Sequence, residues 1–369
     1  MKKSVFYTDQ LTFADEPMFY GTGMNIQEYA NPRLPAFEKA DNKMMGFFWR
    51  PEEISLLQDN GEFKRLTEGE RFIFVSNLKY QILLDSIQSR GVLHAFLPAT
   101  TLPELEAAII TWGFFEKIHS RSYTHIIRNL FPDPADVTDH ILDVPEIMSR
   151  AASIGYYYDD FIDYQHQYLV DPNSVDMNLL KEKLYLALMC VNILEGLRFY
   201  VSFACNFAFG ENKTMEGTSK IMSLISRDET QHLGLTQNIL KYVRNGSEGP
   251  EWAAIAVKCA PVAVQMFRDA ASQEKMWADY LFTEGSMIGL NAAVLHLYID
   301  HITNKRMRAV GLDAVFPPTR NPLNWMDHWL NSRSVQNAGM EVQLDAYLVG
   351  AINSDISDGD FDDFSSMLG

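Results

Sequence analysis

The feature that most restricts how this chain can fold is a set of acids standing where helical cores ordinarily hold apolar residues. Along the 3.6-residue stripes, Leu78 and Ile82 lead to Asp85, and Ile109 and Trp112 lead to Glu116, His119 and Tyr123. Leu188 and Val191 lead to Glu195 and on to Phe199, while Met222 and Ile225 lead to Glu229 and His232. A single inward carboxylate is ordinarily one half of a buried ion pair, but four of them on four inward stripes point to a shared partner at the centre of a bundle. Asp85 precedes Glu116 by 31 residues and Glu195 precedes Glu229 by 34, so the order acid, Glu-x-x-His, acid, Glu-x-x-His runs through two similar helix pairs.

Glu and His three residues apart on a helix point to nearly the same face, about one turn along the axis, so both can reach one metal ion. Asp85, Glu116, His119, Glu195, Glu229 and His232 are therefore the expected ligands of a di-iron or di-manganese carboxylate centre, a pattern known for helical bundles. Oxygen-rich donors with imidazole suit iron or manganese, and the lack of thiolates in the set disfavours structural zinc or iron–sulfur. Four carboxylates balance two divalent ions. Without metal they could not all stay ionised, since a pair about 5 Å apart repels by roughly 3 kcal/mol at an effective dielectric of 20. Tyr123 follows His119 by one turn on the same face. By position alone it is either a core tyrosine or a redox-active phenol beside the metals. Phe199, Phe203 and Ile225 fall at one-turn spacing from the ligands on the facing helices and could wall that phenol in apolar surroundings.

The rest of the chain fits one all-α unit. Helices are predicted near 68–90, 102–130, 144–170, 177–209, 216–244, 251–282 (interrupted by Pro261) and 292–310, with no alternating strand pattern. Thr67-x-x-Glu70, Thr101-x-x-Glu104 and Asp143-x-x-Glu146 read as capping boxes at three of the starts. The first 45 residues look irregular and aromatic-rich, wrapping the bundle. A formal net charge of −17 opposes binding to nucleic acid or anionic membrane. Leu184 to Phe209 is the most membrane-like stretch, but Asn192, Glu195 and Arg198 interrupt it, so a buried helix is the better reading. Cys190, Cys205 and Cys259 form no CxxC and sit in apolar segments, and the start lacks a signal-peptide run, which together suggest a cytoplasmic protein. Residues 334–369 contain no Lys or Arg and seven acids, and so read as a tail following a unit of residues 1–333.

At these same residues the chain resembles the small, radical-carrying subunit of class I ribonucleotide reductase over nearly its whole length. The matching stretches are Phe47–Glu53, Asn77–Arg90, His119–Asn129, Arg198–Cys205, Arg227–Glu229 and Tyr347–Gly350. The resemblance implies a ferritin-like helical homodimer with additional helices and a flexible C-terminal tail. It implies two iron ions, with manganese or a mixed pair as alternatives, that react with oxygen to leave a tyrosyl radical on Tyr123. It also implies a route from Trp49 through Asp228 to His119, with Tyr347, and Glu341 beside it, carrying the step to a large subunit that reduces ribonucleoside diphosphates. Thr230, Gln231, Phe115 and Lys117 depart from the family's pattern and bear on tuning of the site.

Other readings stay open on the residues alone. A ferritin-like di-iron oxygenase or desaturase would use the same metals on a bound substrate, and a storage protein would assemble into a cage. The tail reads either as a solvated acidic segment or as a docking segment, since Leu348, Val349, Ile352, Ile356, Phe361, Phe364, Met367 and Leu368 alternate with its acids.

Overall fold

Seven long helical segments form where the stripes predict them, and the computed structural model describes them within residues 15–23 and 26–330. After α1 (Pro35–Gly46) and α2 (Leu57–Phe63), the chain builds α3 (Glu68–Ala95) and α4 (Pro103–Leu130). A short α5 (Ala135–Thr138) leads to α6 (Pro145–Val170), and α7 (Met177–Ile193) passes through a π-helical turn, Leu194–Arg198, into α8 (Phe199–Glu211). Then come α9 (Glu216–Arg244), α10 (Pro250–Leu281), α11 (Ala292–Ala309) and α12 (Met326–Leu330). Two isolated bridges, Phe19 with Thr100 and Met287 with Leu290, are the only β pairing among the described residues.

The centre is a four-helix arrangement in which α3 packs on α4 and α8, and α9 closes the ring by packing on α4, α7 and α8. The outer helices α6, α10 and α11 cover the α7–α8 side, while α1 lies across α4 and α9. Enclosure on all sides explains why the segment Met177–Glu211 is apolar all round: it is long and apolar enough to cross a membrane, yet 94% of its most apolar window is buried in the bundle.

Several local expectations are corrected. The Thr67–Glu70 capping box forms, with both reciprocal bonds. The other two do not. At α4 and α6 the first helical residue is proline, preorganised for that position, and neither helix has a side-chain cap. Glu104 instead accepts the Leu34 amide at 2.8 Å, Thr101 is engaged by Pro17 and Gly21, and Asp143 pairs with His140. Pro261 does not interrupt α10, which is one continuous helix. Pro261 and Val257, whose carbonyl the proline leaves unbonded, both lie on the exposed face, where water can satisfy that group. Nor are the first 45 residues irregular throughout: α1 buries Phe37, Ala40, Asp41 and Met44, a helical i, i+3, i+4, i+7 stripe.

Candidate metal centre

The four central helices deliver the acids inward together. Asp85 comes from α3; Trp112, Glu116, His119 and Tyr123 follow one another along the buried face of α4; Glu195 lies in the π turn; and Asp228, Glu229 and His232 come from α9. All six predicted ligands have at most 1% of their surface exposed. Their donor atoms fall into two overlapping groups. One atom each from Asp85, Glu116, His119 and Glu229 lies within 4.8 Å of the others, and so does one each from Glu116, Glu195, Glu229 and His232. Glu116 and Glu229 belong to both groups, so two ions held here would share these two carboxylates.

The imidazoles face the shared carboxylates through Nδ1. His119 Nδ1 is 3.1 Å from Glu229 Oε1 and 3.6 Å from Glu116 Oε2, and His232 Nδ1 is 3.2 Å from Glu116 Oε1 and 3.3 Å from Glu229 Oε2. The other His119 nitrogen, Nε2, stands 3.3 Å from Asp228 Oδ2. A proton on Nε2 donated to Asp228 leaves the Nδ1 lone pair for a cation, the usual way an outer carboxylate orients a ligating histidine.

Unsatisfied atoms test the fit of a metal pair. Glu195 Oε2 is buried without a hydrogen-bond partner, and the buried oxygens of Asp85, Glu116 Oε2 and Glu229 Oε1 have beside them the loosely placed Tyr123 hydroxyl and His119 Nδ1 in place of well-aligned donors. Each such group costs a few kcal/mol if left poorly paired, and these carboxylates belong to the two overlapping donor groups, so a cation pair would account for them together. The three cysteines are buried elsewhere and join neither group. The donor set therefore fits iron or manganese.

Protonation follows the same geometry. Burial, and then the neighbouring carboxylates Glu116 and Glu229, raises Asp85 well above the ordinary carboxylate range. Glu195 is raised in the same way by burial, then by Glu229 and Glu116. Burial would also raise Glu116, but hydrogen bonds from His119 and His232 outweigh it and bring this carboxyl down to about 2. Burial opposes charge on both histidines, yet their carboxylate partners prevail and raise both. Without metal the site thus stores protons in the place of cationic charge.

Tyr123 is 1% exposed, and its hydroxyl faces the Asp85 carboxylate. Burial, then the Asp85 charge, holds its pKa well above 10.0, so the phenol keeps its proton at neutral pH. Phe199, Phe203 and Ile225 are fully buried as expected, with Phe199 stacked on Phe203 at 5.9 Å between centroids. Beyond the donors, Trp49 donates its Nε1 proton to Asp228 Oδ2 at 2.7 Å, so Trp49, Asp228 and His119 are in hydrogen-bonding sequence. Tyr347 and Glu341 lie outside the described residues.

Some participants were not singled out from sequence. Trp112 donates to Glu116 Oε1 at 2.8 Å, although as a member of the stripe it reads as core. Gln88 donates to Glu195 Oε1 at 2.6 Å, and Tyr158 donates to Gln88 Oε1 at 2.7 Å. Gln88 is one turn beyond Asp85 on the same face, which was a usable signal; Tyr158, on α6, carries none. Arg227 spans Asp228 Oδ1 and the Phe47 carbonyl while its guanidinium lies 4.3 Å over the Phe47 ring. Among the unusual residues, Phe115 is buried with its ring edge-on to His232 at 6.4 Å, Lys117 faces solvent, and Thr230 bonds back to the Ser226 carbonyl.

Two overlapping carboxylate–histidine groups at the centre of a helical bundle define a dimetal-carboxylate protein of ferritin-like architecture. The family described as ribonucleotide reductase, small chain, matches residues 27–322. The chain is 51% identical to the ribonucleoside-diphosphate reductase subunit beta of Haemophilus influenzae, covering 95% of this chain and 96% of that one. It is 42% identical to the corresponding subunit of Enterobacteria phage T4, covering 96% and 97% of the two chains. Among solved structures, the R2 subunit of Clostridium botulinum ribonucleotide reductase superposes with a TM-score of 0.78 at 27% identity, over 89% of this chain and 98% of that one. The chain therefore belongs to the ribonucleotide reductase small-chain family and is part of a ribonucleoside-diphosphate reductase, an oxidoreductase of deoxyribonucleotide synthesis.

Proposed function

We propose that this chain generates and stores a tyrosyl radical on Tyr123 and passes its oxidising equivalent to a large subunit that reduces ribonucleoside diphosphates. The observation that carries the reading is a buried phenol that faces Asp85, one turn along α4 from a pair of donor groups that share Glu116 and Glu229. Asp85, Glu116, His119, Glu195, Glu229 and His232 hold two iron ions, and the same donors accept manganese or a mixed pair. When bound, the metals react with oxygen and supply the oxidising equivalent that Tyr123 receives.

The chain's own residues do the rest. Tyr123 gives up one electron and its phenolic proton, and the Asp85 carboxylate, the charge acting most strongly on that phenol, takes the proton. Phe199, Phe203 and Ile225 keep water from the oxidised ring, which prolongs its life. Asp228 fixes the His119 tautomer and joins it to Trp49, and an electron moving inward along Trp49, Asp228 and His119 refills the site. Residues 1–333 form this generator, while 334–369 form an acidic tail whose Tyr347 links Trp49 to the large subunit. The chain works as a homodimer beside that larger partner, the arrangement its resemblance to small subunits implies. The net charge of −17 argues against engagement of nucleic acid or anionic membrane, and three cysteines in apolar segments without a CxxC favour a cytoplasmic protein.

A reductase assay with the iron-loaded chain and the large subunit tests the reading. Tyr347→Phe is expected to keep metal and radical while abolishing nucleotide reduction, and a peptide of residues 351–369 is expected to inhibit the wild type by competing for its docking site. Full turnover in Tyr347→Phe contradicts the relay, and failure of the peptide to compete contradicts docking by the tail.

A further inference from the structure

The two donor groups share Glu116 and Glu229 but are supported from outside in opposite ways. In the Asp85 group the outer bond falls on the histidine, since His119 Nε2 meets Asp228, while Asp85 itself faces the Tyr123 hydroxyl and is held by no amide. In the Glu195 group it falls on the carboxylate. Gln88 donates to Glu195 Oε1 at 2.6 Å, leaving Oε2 alone without a partner, and the buried His232 Nε2 bonds to nothing.

Gln88 is in turn held by Tyr158, whose hydroxyl donates to the amide oxygen at 2.7 Å. That bond settles the direction of the amide, because an oxygen facing Tyr158 sends the NH2 group to Glu195. The fold makes room for it. A Cβ on Gly91, one turn along α3 from Gln88, would come within 2.7 Å of Tyr158 Cζ, so the ring lies directly on the α3 backbone. The restraint also acts where the backbone is least regular, because Glu195 sits in the π turn Leu194–Arg198.

Resting on the metal-centre reading above, we infer that Gln88 and Tyr158 are positioning residues that present Glu195 to the second metal through Oε2 alone, and that they set the affinity of the Glu195–His232 position without touching the metal. The Asp85–His119 position has no dependence on them. Because the two positions share two carboxylates, loss of the restraint leaves the protein folded and singly loaded rather than empty.

The test is Mn(II) titration of the full-length chain, read by stoichiometry and by electron paramagnetic resonance. Wild type is expected to bind two ions per chain and give a spin-coupled pair signal. Gln88→Leu is expected to keep one tight ion with an isolated six-line signal, and to bind the second about tenfold or more weakly. Tyr158→Phe, which removes one oxygen and little packing, is expected to weaken the second ion alone and by less. Gly91→Ala, a better helix former by propensity, is expected to do the same by displacing the Tyr158 ring. Wild-type pair formation in both Gln88→Leu and Tyr158→Phe overturns the inference, as does equal weakening of both ions. A wild type that binds fewer than two ions contradicts the metal-centre reading itself, which keeps the two failures distinct.

Discussion

Trp49 and Asp228 are 179 residues apart in sequence and joined by a 2.7 Å hydrogen bond from the indole Nε1 to Oδ2, the same oxygen that faces His119. Both side chains are buried, so this bond is screened from water. Removing either residue therefore has a distinct consequence for the other.

Trp49→Phe deletes the indole N–H but leaves Asp228 on His119. Metal stoichiometry is expected to stay at the wild-type value while nucleotide reduction falls by more than about tenfold, the lower range for lost outer-shell support. Asp228→Ala is expected to lower metal affinity about 10–100-fold as well, because His119 then loses its orienting partner. Parallel metal titration and turnover assays separate the two, and full turnover in Trp49→Phe contradicts a role in the relay.

The proton content of the site gives a pH dependence with a definite sign. Asp85 and Glu195 are raised above 3.8 and 4.5, so above those values the metal-free fold holds protons that the unfolded chain has released. The stability they contribute is present in acid and is lost as pH rises. His119 and His232, raised above 6.5, act in the same direction at higher pH. Glu116 runs the other way, but its contribution disappears only as pH falls below 4.5 toward about 2. From pH 5 upward, metal binding should release protons and the rise in melting temperature on loading should grow with pH. Calorimetry in buffers of different ionisation enthalpy measures the release; zero release means the carboxylates are not the ligands.

Most of this centre was legible in sequence because its parts obey helical spacing. Glu116, His119 and Tyr123 are steps along one stripe, and repetition of the pattern at Glu195, Glu229 and His232 removed the ambiguity of a single pair. The outer contacts were not legible, because Tyr158 and Gln88 meet across 70 residues and no local pattern links them. The π turn escaped for a related reason: Glu195 keeps an inward position, and only Gly196, in mid-helix, hinted that the regular ladder breaks there. Likewise, Glu104 was taken from its expected cap by the Leu34 amide, a tertiary contact that spacing cannot reveal.

Glu274 anchors the covering helices. It accepts from Arg150 at 2.9 and 2.5 Å, from Arg198 at 3.2 Å and from the Tyr80 hydroxyl at 3.2 Å, while the Arg150 guanidinium lies 3.3 Å over the Tyr80 ring. Glu274→Ala leaves two buried guanidinium groups without their carboxylate and is expected to cost about 3–5 kcal/mol. Urea unfolding of metal-free protein measures it, and a loss below about 1 kcal/mol, the scale of a surface pair, contradicts a central role for this cluster.

The central claim is that the metals at this site oxidise Tyr123. It is tested most directly by electron paramagnetic resonance after anaerobic Fe(II) loading and exposure to oxygen, with wild type and Tyr123→Phe side by side. The account predicts a persistent tyrosyl radical in the wild type and its loss in Tyr123→Phe at unchanged iron content. The same radical signal in Tyr123→Phe, or its absence from fully iron-loaded wild type, would contradict it.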